Sequence, residues 1–357
     1  MAAHPVMGGM GFLLSTIFSG MMHRFIKMAL ITLGALATLL CGTISIAQTN
    51  LETRSVPLAD NIKVGDRVDR VRFLGMLQLP NPTVDGMRFS QLSGLAWDDD
   101  DGILYALSDK GFLFHLQPIF QNGALAGLKL LKAVHLRELG SDKPLRWGRA
   151  DSEGLEVLRG RNGRKGDAEL LISFERFPRI VRYRPDGYAI DEYPLPAPLN
   201  NAKIYQNPNK MLESVCQDPR LGILTAAELP LKGEHAGYTH IFSLGGKSWL
   251  YPLPTRNRIT DMDCLGRERV MLLESNIENT LGRLTVSLKI ATLPEIPSPA
   301  EPVPVETLVT FDTEKGQQID NFEGLAHHRG NRFFMVSDDN DLFIQRSLLM
   351  YFEVLDR

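Results

Sequence analysis

The sequence predicts an all-β protein, a β-propeller of four-stranded blades with five repeats visible and six blades possible. Three observations carry this expectation. From Asp66 onward, short runs rich in Val, Ile, Leu, Phe and Tyr alternate with Asp-Gly, Asn-Gly and Pro punctuation, as at 103–107, 170–174, 223–227 and 333–336. No segment keeps a 3.6-residue apolar period for three turns, apart from a weak helical candidate around 128–136. One hairpin pattern then recurs five times, which a sandwich does not readily explain.

The repeated unit is a small or acidic residue, Gly or its substitute, apolar residues, a turn, and an apolar strand ending in an acid. Its copies run from Ser93-Gly94 to Asp109, from Glu153-Gly154 to Glu175 and from Glu213-Ser214 to Glu228. The last two run from Asp261-Met262 to Glu274 and from Glu323-Gly324 to Asp338. Their second residues fall at 94, 154, 214, 262 and 324, a recurrence of roughly 50–60 residues that suits one blade with variable loops. Each unit leaves room for two more strands. The last is short, so a strand near 71–79 is expected to complete it and close the ring.

Ahead of the repeats, 1–47 reads as an export signal. His23, Arg24 and Lys27 precede an apolar stretch at 28–46, and Ser45-Ile46-Ala47 offers small residues for cleavage before Gln48. Translation is expected to start at Met21 or Met22. An uncleaved anchor is the competing reading, since roughly 19 weakly apolar residues can just span a bilayer. Residues 48–65 read as a flexible lead-in and 66–357 as the propeller domain. No later apolar run has that length, so no membrane span is expected after cleavage, and the expected location is periplasmic or secreted.

A net charge of −3 over 357 residues argues against nucleic acid. Only Cys216 and Cys264 follow the signal, in the same apparent register of adjacent units, and whether they pair is left open. There is no CxxC, GxSxG, HExxH or Walker loop, which removes the corresponding zinc, redox, serine-esterase and nucleotide chemistries.

In an antiparallel hairpin the start of one strand lies beside the end of the next. The repeat therefore places Asp109, Glu153, Glu175, Glu213, Glu228, Asp261, Glu274, Glu323 and Asp338 at one rim around the axis. Like charges so close raise one another's pKa and require cations, protons or a metal. An all-oxygen set without His or Cys fits Ca²⁺ better than zinc. The alternative is that these acids tie blades together through backbone amides and Arg. Glu153, Glu323 and Asp338 are the catalytic candidates, and Lys110, Arg149 and Arg176 the candidates for holding substrate. Trp147 is expected at the rim, Trp97 and Trp249 in blade packing, His327 and His328 at the surface, and 160–166 as a solvated hairpin loop.

The same residues resemble the bacterial phytase-like family, described as "esterase-like activity of phytase". The matching text is Leu92-Ser-Gly-Leu-Ala-Trp-Asp98 with Ser108-Asp109, Asp151-Ser-Glu-Gly-Leu-Glu156 with Phe174-Glu175-Arg176, Ile259-Thr-Asp-Met-Asp263 with Leu273-Glu274, and Asn321-Phe-Glu-Gly-Leu-Ala326 with Ser337-Asp-Asp-Asn340. The likeness runs from about residue 68 to the C-terminus. It implies a propeller-like domain acting on a small-molecule ester or phosphoester. Ser214 stands where the family more often has Gly, and Ser275 where Arg often follows the Glu. Competing readings are a non-catalytic Ca²⁺-binding periplasmic propeller and a lactonase-like propeller.

Overall fold

The computed structural model describes residues 49–278 and 282–356, all within the larger of the chain's two compact units, Gln48–Arg357. The export signal expected at 1–47 lies outside the described residues.

Apolar runs separated by Gly-containing turns fold into five antiparallel four-stranded blades. Blade I is Leu92–Asp98, Ile103–Ser108, Phe112–Gln121 and Ala124–His135, and blade II is Ser152–Leu158, Glu169–Phe174, Arg179–Tyr183 and Ala189–Tyr193. Blade III is Leu212–Asp218, Gly222–Ala227, Tyr238–Ser243 and Ser248–Pro252, and blade IV is Arg258–Gly266, Arg269–Ile277, Leu284–Thr292 and Val305–Asp312. Blade V takes Phe322–His327, Arg332–Ser337 and Leu348–Val354 from the C-terminal part of the chain and Val71–Gln78 from the N-terminal part, which pairs with Leu348–Val354. That exchange closes the ring, as the short last repeat required. Each first strand packs on the first strands of both neighbouring blades, so the circle is complete with five blades among the described residues.

Both faces of every blade are buried, one against each neighbour, which is why the strands read as continuous apolar runs rather than strict alternations. Five apolar clusters result, one per blade interface. Leu107 of blade I packs with Ile172 and Phe174 of blade II, for example, and Met271 of blade IV with Phe322 and Met350 of blade V. Trp97 and Trp249 are buried in this packing.

Three local expectations are corrected. The helical candidate at 128–136 lies largely in the outer strand Ala124–His135, whose partners on Phe112–Gln121 override a weak period. The lead-in is held down: Thr49–Asn50 and Arg54–Ser55 add short strands to blades I and V, and Leu58 is fully buried. His328 is buried, bonded through Nδ1 to the Tyr351 hydroxyl at 2.7 Å, with the Trp97 ring edge-on at 4.5 Å. Cys216 and Cys264 form a disulfide with Cα atoms 5.4 Å apart, joining the first strands of blades III and IV.

The repeated Gly has a steric cause. A Cβ at Gly94 would lie 2.5 Å from the Glu153 carbonyl oxygen, and one at Gly154 would lie 2.7 Å from the Ser214 Cα and the Val215 nitrogen. First strands pack backbone to backbone there, with no room for a methyl group. Gly154→Ala is therefore expected to destabilise the fold by about 1–3 kcal/mol, the usual range for overpacking. Chemical denaturation checks this, and an unchanged midpoint would contradict it.

Candidate functional site

Each first strand opens with a β-bulge. The ladder slips between Leu92 and Gly94, Ser152 and Leu155, Leu212 and Ser214, Ile259 and Asp261, and Phe322 and Gly324. A bulge adds one residue and re-aims its side chain. The residues at this place are Ser93, Glu153, Glu213, Thr260 and Glu323. In blades I and IV the hydroxyl donates to the next blade: Ser93 Oγ to the Ser152 carbonyl at 2.7 Å and Thr260 Oγ1 to the Phe322 carbonyl at 3.0 Å. An ionised carboxylate has no proton for such a bond. Glu153, Glu213 and Glu323, from three different blades, instead face one another at the mouth of the axis.

The residue after each second strand supplies the other acids. Backbone N–H groups of Asp109, Glu175, Glu228 and Asp338 donate to the carbonyls of Gln91, Asp151, Met211 and Asn321 at 2.9–3.1 Å. This common bond fixes four carboxylates at one height. Seven of the nine predicted acids are thereby brought together, with Asp151 joining them one strand position earlier.

Asp261 and Glu274 do not join, which corrects the nine-membered ring. In blade IV the bulge falls at Thr260, so Asp261 stands at the place of Gly94 and Gly154, and Ser275 rather than Glu274 at the rim. A one-residue slip sends a strand side chain to the opposite face. Asp261 accepts from the Leu325 N–H at 2.7 Å and its neighbour Met262 N–H at 2.8 Å, tying blade IV to blade V. Glu274 is fully buried and bonded to Lys289 Nζ and Asn257 Nδ2, both at 2.7 Å, and to the Tyr251 hydroxyl.

Blade IV contributes a cation in their stead. Arg258, at the strand position of Asp151, pairs through Nη1 with Glu228 Oε1 at 3.0 Å and through Nη2 with Asn321 Oδ1. Lys210 Nζ reaches both Glu228 oxygens at 2.7 Å. Both basic groups enter the site, although no motif in the sequence marks either of them. Further out, Arg176 Nε pairs with Asp151 Oδ2 at 2.8 Å and Lys110 Nζ with Asp109 Oδ2 at 3.4 Å.

These four cations leave the centre under-neutralised. Burial first, and neighbouring carboxylates second, push Glu153 and Glu213 well above the ordinary carboxyl range. Burial likewise raises Glu175 to about 8 and Asp338 to about 9, and Glu323 to about 7 against the opposing pull of Arg258. Neither the Glu153 nor the Glu213 carboxylate accepts a hydrogen bond among the described residues, and Asp109 Oδ1 is buried without a donor. Such acceptors fit a cation. Two groups have carboxylate oxygens within 4.8 Å of one another, Asp151–Glu153–Glu175 and Glu175–Glu213–Glu228, sharing Glu175. A hard ion with oxygen ligands at about 2.3–2.6 Å matches that donor set.

Beside Asp151 a groove of about 710 Å³, of the order of a small-molecule pocket, lies between Asp109, Lys110, Arg146, Trp147, Asp151 and Arg176. Lys110, Arg176 and Trp147 thus line a groove that opens beside the acids. Arg149 does not line it. The 3-10 turn Trp147–Arg149 turns that residue outward, and its carbonyl accepts from Arg179 Nη2. Arg146 takes the place expected of Arg149.

A closed five-bladed propeller with carboxylates gathered at one mouth of its axis defines the class of protein. The family model for phytase-like proteins, described by esterase-like activity of phytase, matches residues 87–341. The chain belongs to that phytase-like family. No curated protein matches it in sequence. Among solved structures, the Dos1 propeller aligns over 80% of this chain and 76% of its own, at 7% identity and a TM-score of 0.32.

A carboxyl raised in the fold stabilises it below the unfolded pKa and loses that contribution as pH rises through the folded value. For Glu175 this window runs from its ordinary 4.5 to about 8. Metal-stripped protein is therefore expected to melt roughly 3 °C or more lower at pH 8 than at pH 5, and saturating Ca²⁺ to remove the loss. Calorimetry at both pH values, with EDTA or Ca²⁺, checks this; equal pH dependence in both would contradict it.

Proposed function

We propose that this chain is an exported, metal-dependent hydrolase of phosphate or other esters, with Ca²⁺ held at the propeller mouth. The observation that carries the reading is the junction of two under-neutralised carboxylate groups with a cation-bearing groove through Asp151. Export is supported by the signal-like order at 1–47 and by the Cys216–Cys264 disulfide, since disulfides persist in oxidising compartments. No helix among the described residues is long and apolar enough to cross a membrane.

Asp151, Glu153, Glu175, Glu213 and Glu228 would hold the ions. Bound there, Ca²⁺ supplies Lewis-acid polarisation of a phosphoryl or carbonyl oxygen. Lys110 and Arg176 sit at the groove edge, paired with Asp109 and Asp151, and frame the passage by which a substrate reaches the carboxylates. Glu323 lies outside both ion-holding groups. Asn321 Nδ2 fixes its Oε1 at 2.5 Å, which leaves Oε2 to align an attacking water and take its proton. Asp338, beside Glu323 and bonded by the Asn340 N–H at 2.8 Å, is placed to return a proton to the leaving oxygen.

The test is hydrolysis of phytate, p-nitrophenyl phosphate, bis-p-nitrophenyl phosphate and short acyl esters, with Ca²⁺ or EDTA. Turnover of at least one ester is expected with Ca²⁺ and none with EDTA. Glu323→Gln is expected to lower kcat by roughly 100-fold or more with the fold retained by circular dichroism. Silence on every ester with metal bound would leave a non-catalytic binding propeller.

A further inference from the structure

The groove beside Asp151 differs from what a polyphosphate site requires. Its charged lining consists of the cations Lys110, Arg146 and Arg176 and the carboxylates Asp109 and Asp151. Two of the cations are already engaged, Lys110 with Asp109 and Arg176 with Asp151. Arg146 is left with no ion pair or hydrogen bond from its side chain among the described residues. The surplus is a single positive charge, suited to one phosphate. A hexaphosphate would bring many anionic oxygens for which the groove holds no cation.

The rest of the lining is aromatic. Phe112 and His135 meet edge to face at 5.1 Å, and burial holds His135 below its ordinary pKa. Trp147 is 92% exposed and its backbone is left-handed, with φ of 55°. A bulky residue in that region is an outlier whose cost the surroundings must offset. Burial does not explain Trp147, since the residue is almost wholly exposed. An exposed indole lining the same groove as an unpaired guanidinium is instead a surface on which a flat ring can stack while its phosphate meets the cation.

We infer that the groove takes a phosphate ester carrying one phosphate and a flat aromatic or heterocyclic group, which Trp147 stacks and Arg146 anchors. The assignment rests on the hydrolase reading and narrows its substrate class. Phytate fits that class poorly, because the groove's own side chains leave a single arginine unpaired against its many charges.

Binding tests this separately from turnover. Trp97 and Trp249 are 5% and 1% exposed, so quenching of tryptophan fluorescence by a ligand reports Trp147. Phenyl phosphate, glycerol phosphate and phytate are titrated into Ca²⁺-loaded protein, with calorimetry for Kd in the wild type, Trp147→Ala and Arg146→Ala. Phenyl phosphate is expected to quench and to bind at least about tenfold tighter than glycerol phosphate, the scale of a base on an aromatic platform. Trp147→Ala is expected to erase that preference and leave glycerol phosphate unchanged, while Arg146→Ala weakens both ligands. Equal affinity for the two monophosphates, tighter binding of phytate, or no binding at all would each overturn the inference. Hydrolysis measured on the same wild-type samples separates the two readings. Turnover without aryl preference sinks this inference alone, and absence of turnover sinks the hydrolase itself.

Discussion

Mutual repulsion among carboxylates at the mouth of the axis governs the arrangement around it. Glu153, Glu213 and Glu323 come from three blades and converge because each sits on a bulge that the propeller symmetry points inward. Glu175, Glu228, Asp109 and Asp338 reach the same level through a shared backbone bond. Desolvation costs several kcal/mol for each buried ion; Arg258 and Lys210 pair directly with Glu228 and their pull on Glu213 and Glu323 leaves those carboxyls raised. The remaining charge must be met by protons or by a cation. The fold itself does not need so many acids, because Ser93 and Thr260 hold the equivalent places in blades I and IV with ordinary hydroxyl bonds.

The contrast with acids further along the same strands sharpens this. Glu156 accepts from the Gln217 N–H at 3.2 Å, Asp263 from the His327 N–H at 2.6 Å and Asp261 from the Leu325 N–H at 2.7 Å. Each acceptor lies on one blade and its donor on the next. These carboxylates knit the ring and have a structural reason to be there. Glu153 and Glu213 have no such donor, so blade cohesion does not account for their placement.

Much of this was legible in the sequence. Five copies of one hairpin announced the propeller, and the strand near 71–79 was needed to complete the last of them. Seven rim acids followed from the same repeat. Blade IV was misread for an identifiable reason: Asp261-Met262-Asp263 imitates Glu-Gly-Leu, and only the ladder shows that the bulge falls at Thr260. Since strand side chains alternate faces, that single position separates a rim acid from a blade tie. Arg258 and Lys210 were hidden because their role depends on which blades adjoin, which no local pattern records. Arg149 and Arg146 were exchanged because a turn of three residues decides which of them faces the groove. The cysteine pair was visible as a near-coincidence of register, but closing it required the 5.4 Å Cα separation across blades III and IV.

The measurement that bears most directly on the shared mouth is a Ca²⁺ titration of chelator-stripped protein by calorimetry, run beside Glu213→Gln. At least one equivalent is expected to bind to the wild type with Kd in or below roughly the 10⁻⁴–10⁻³ M range of extracellular calcium sites, and Glu213→Gln to bind markedly more weakly. A stripped wild-type protein that takes up no divalent cation would contradict the account, because its crowded carboxylates would then be at ease without one.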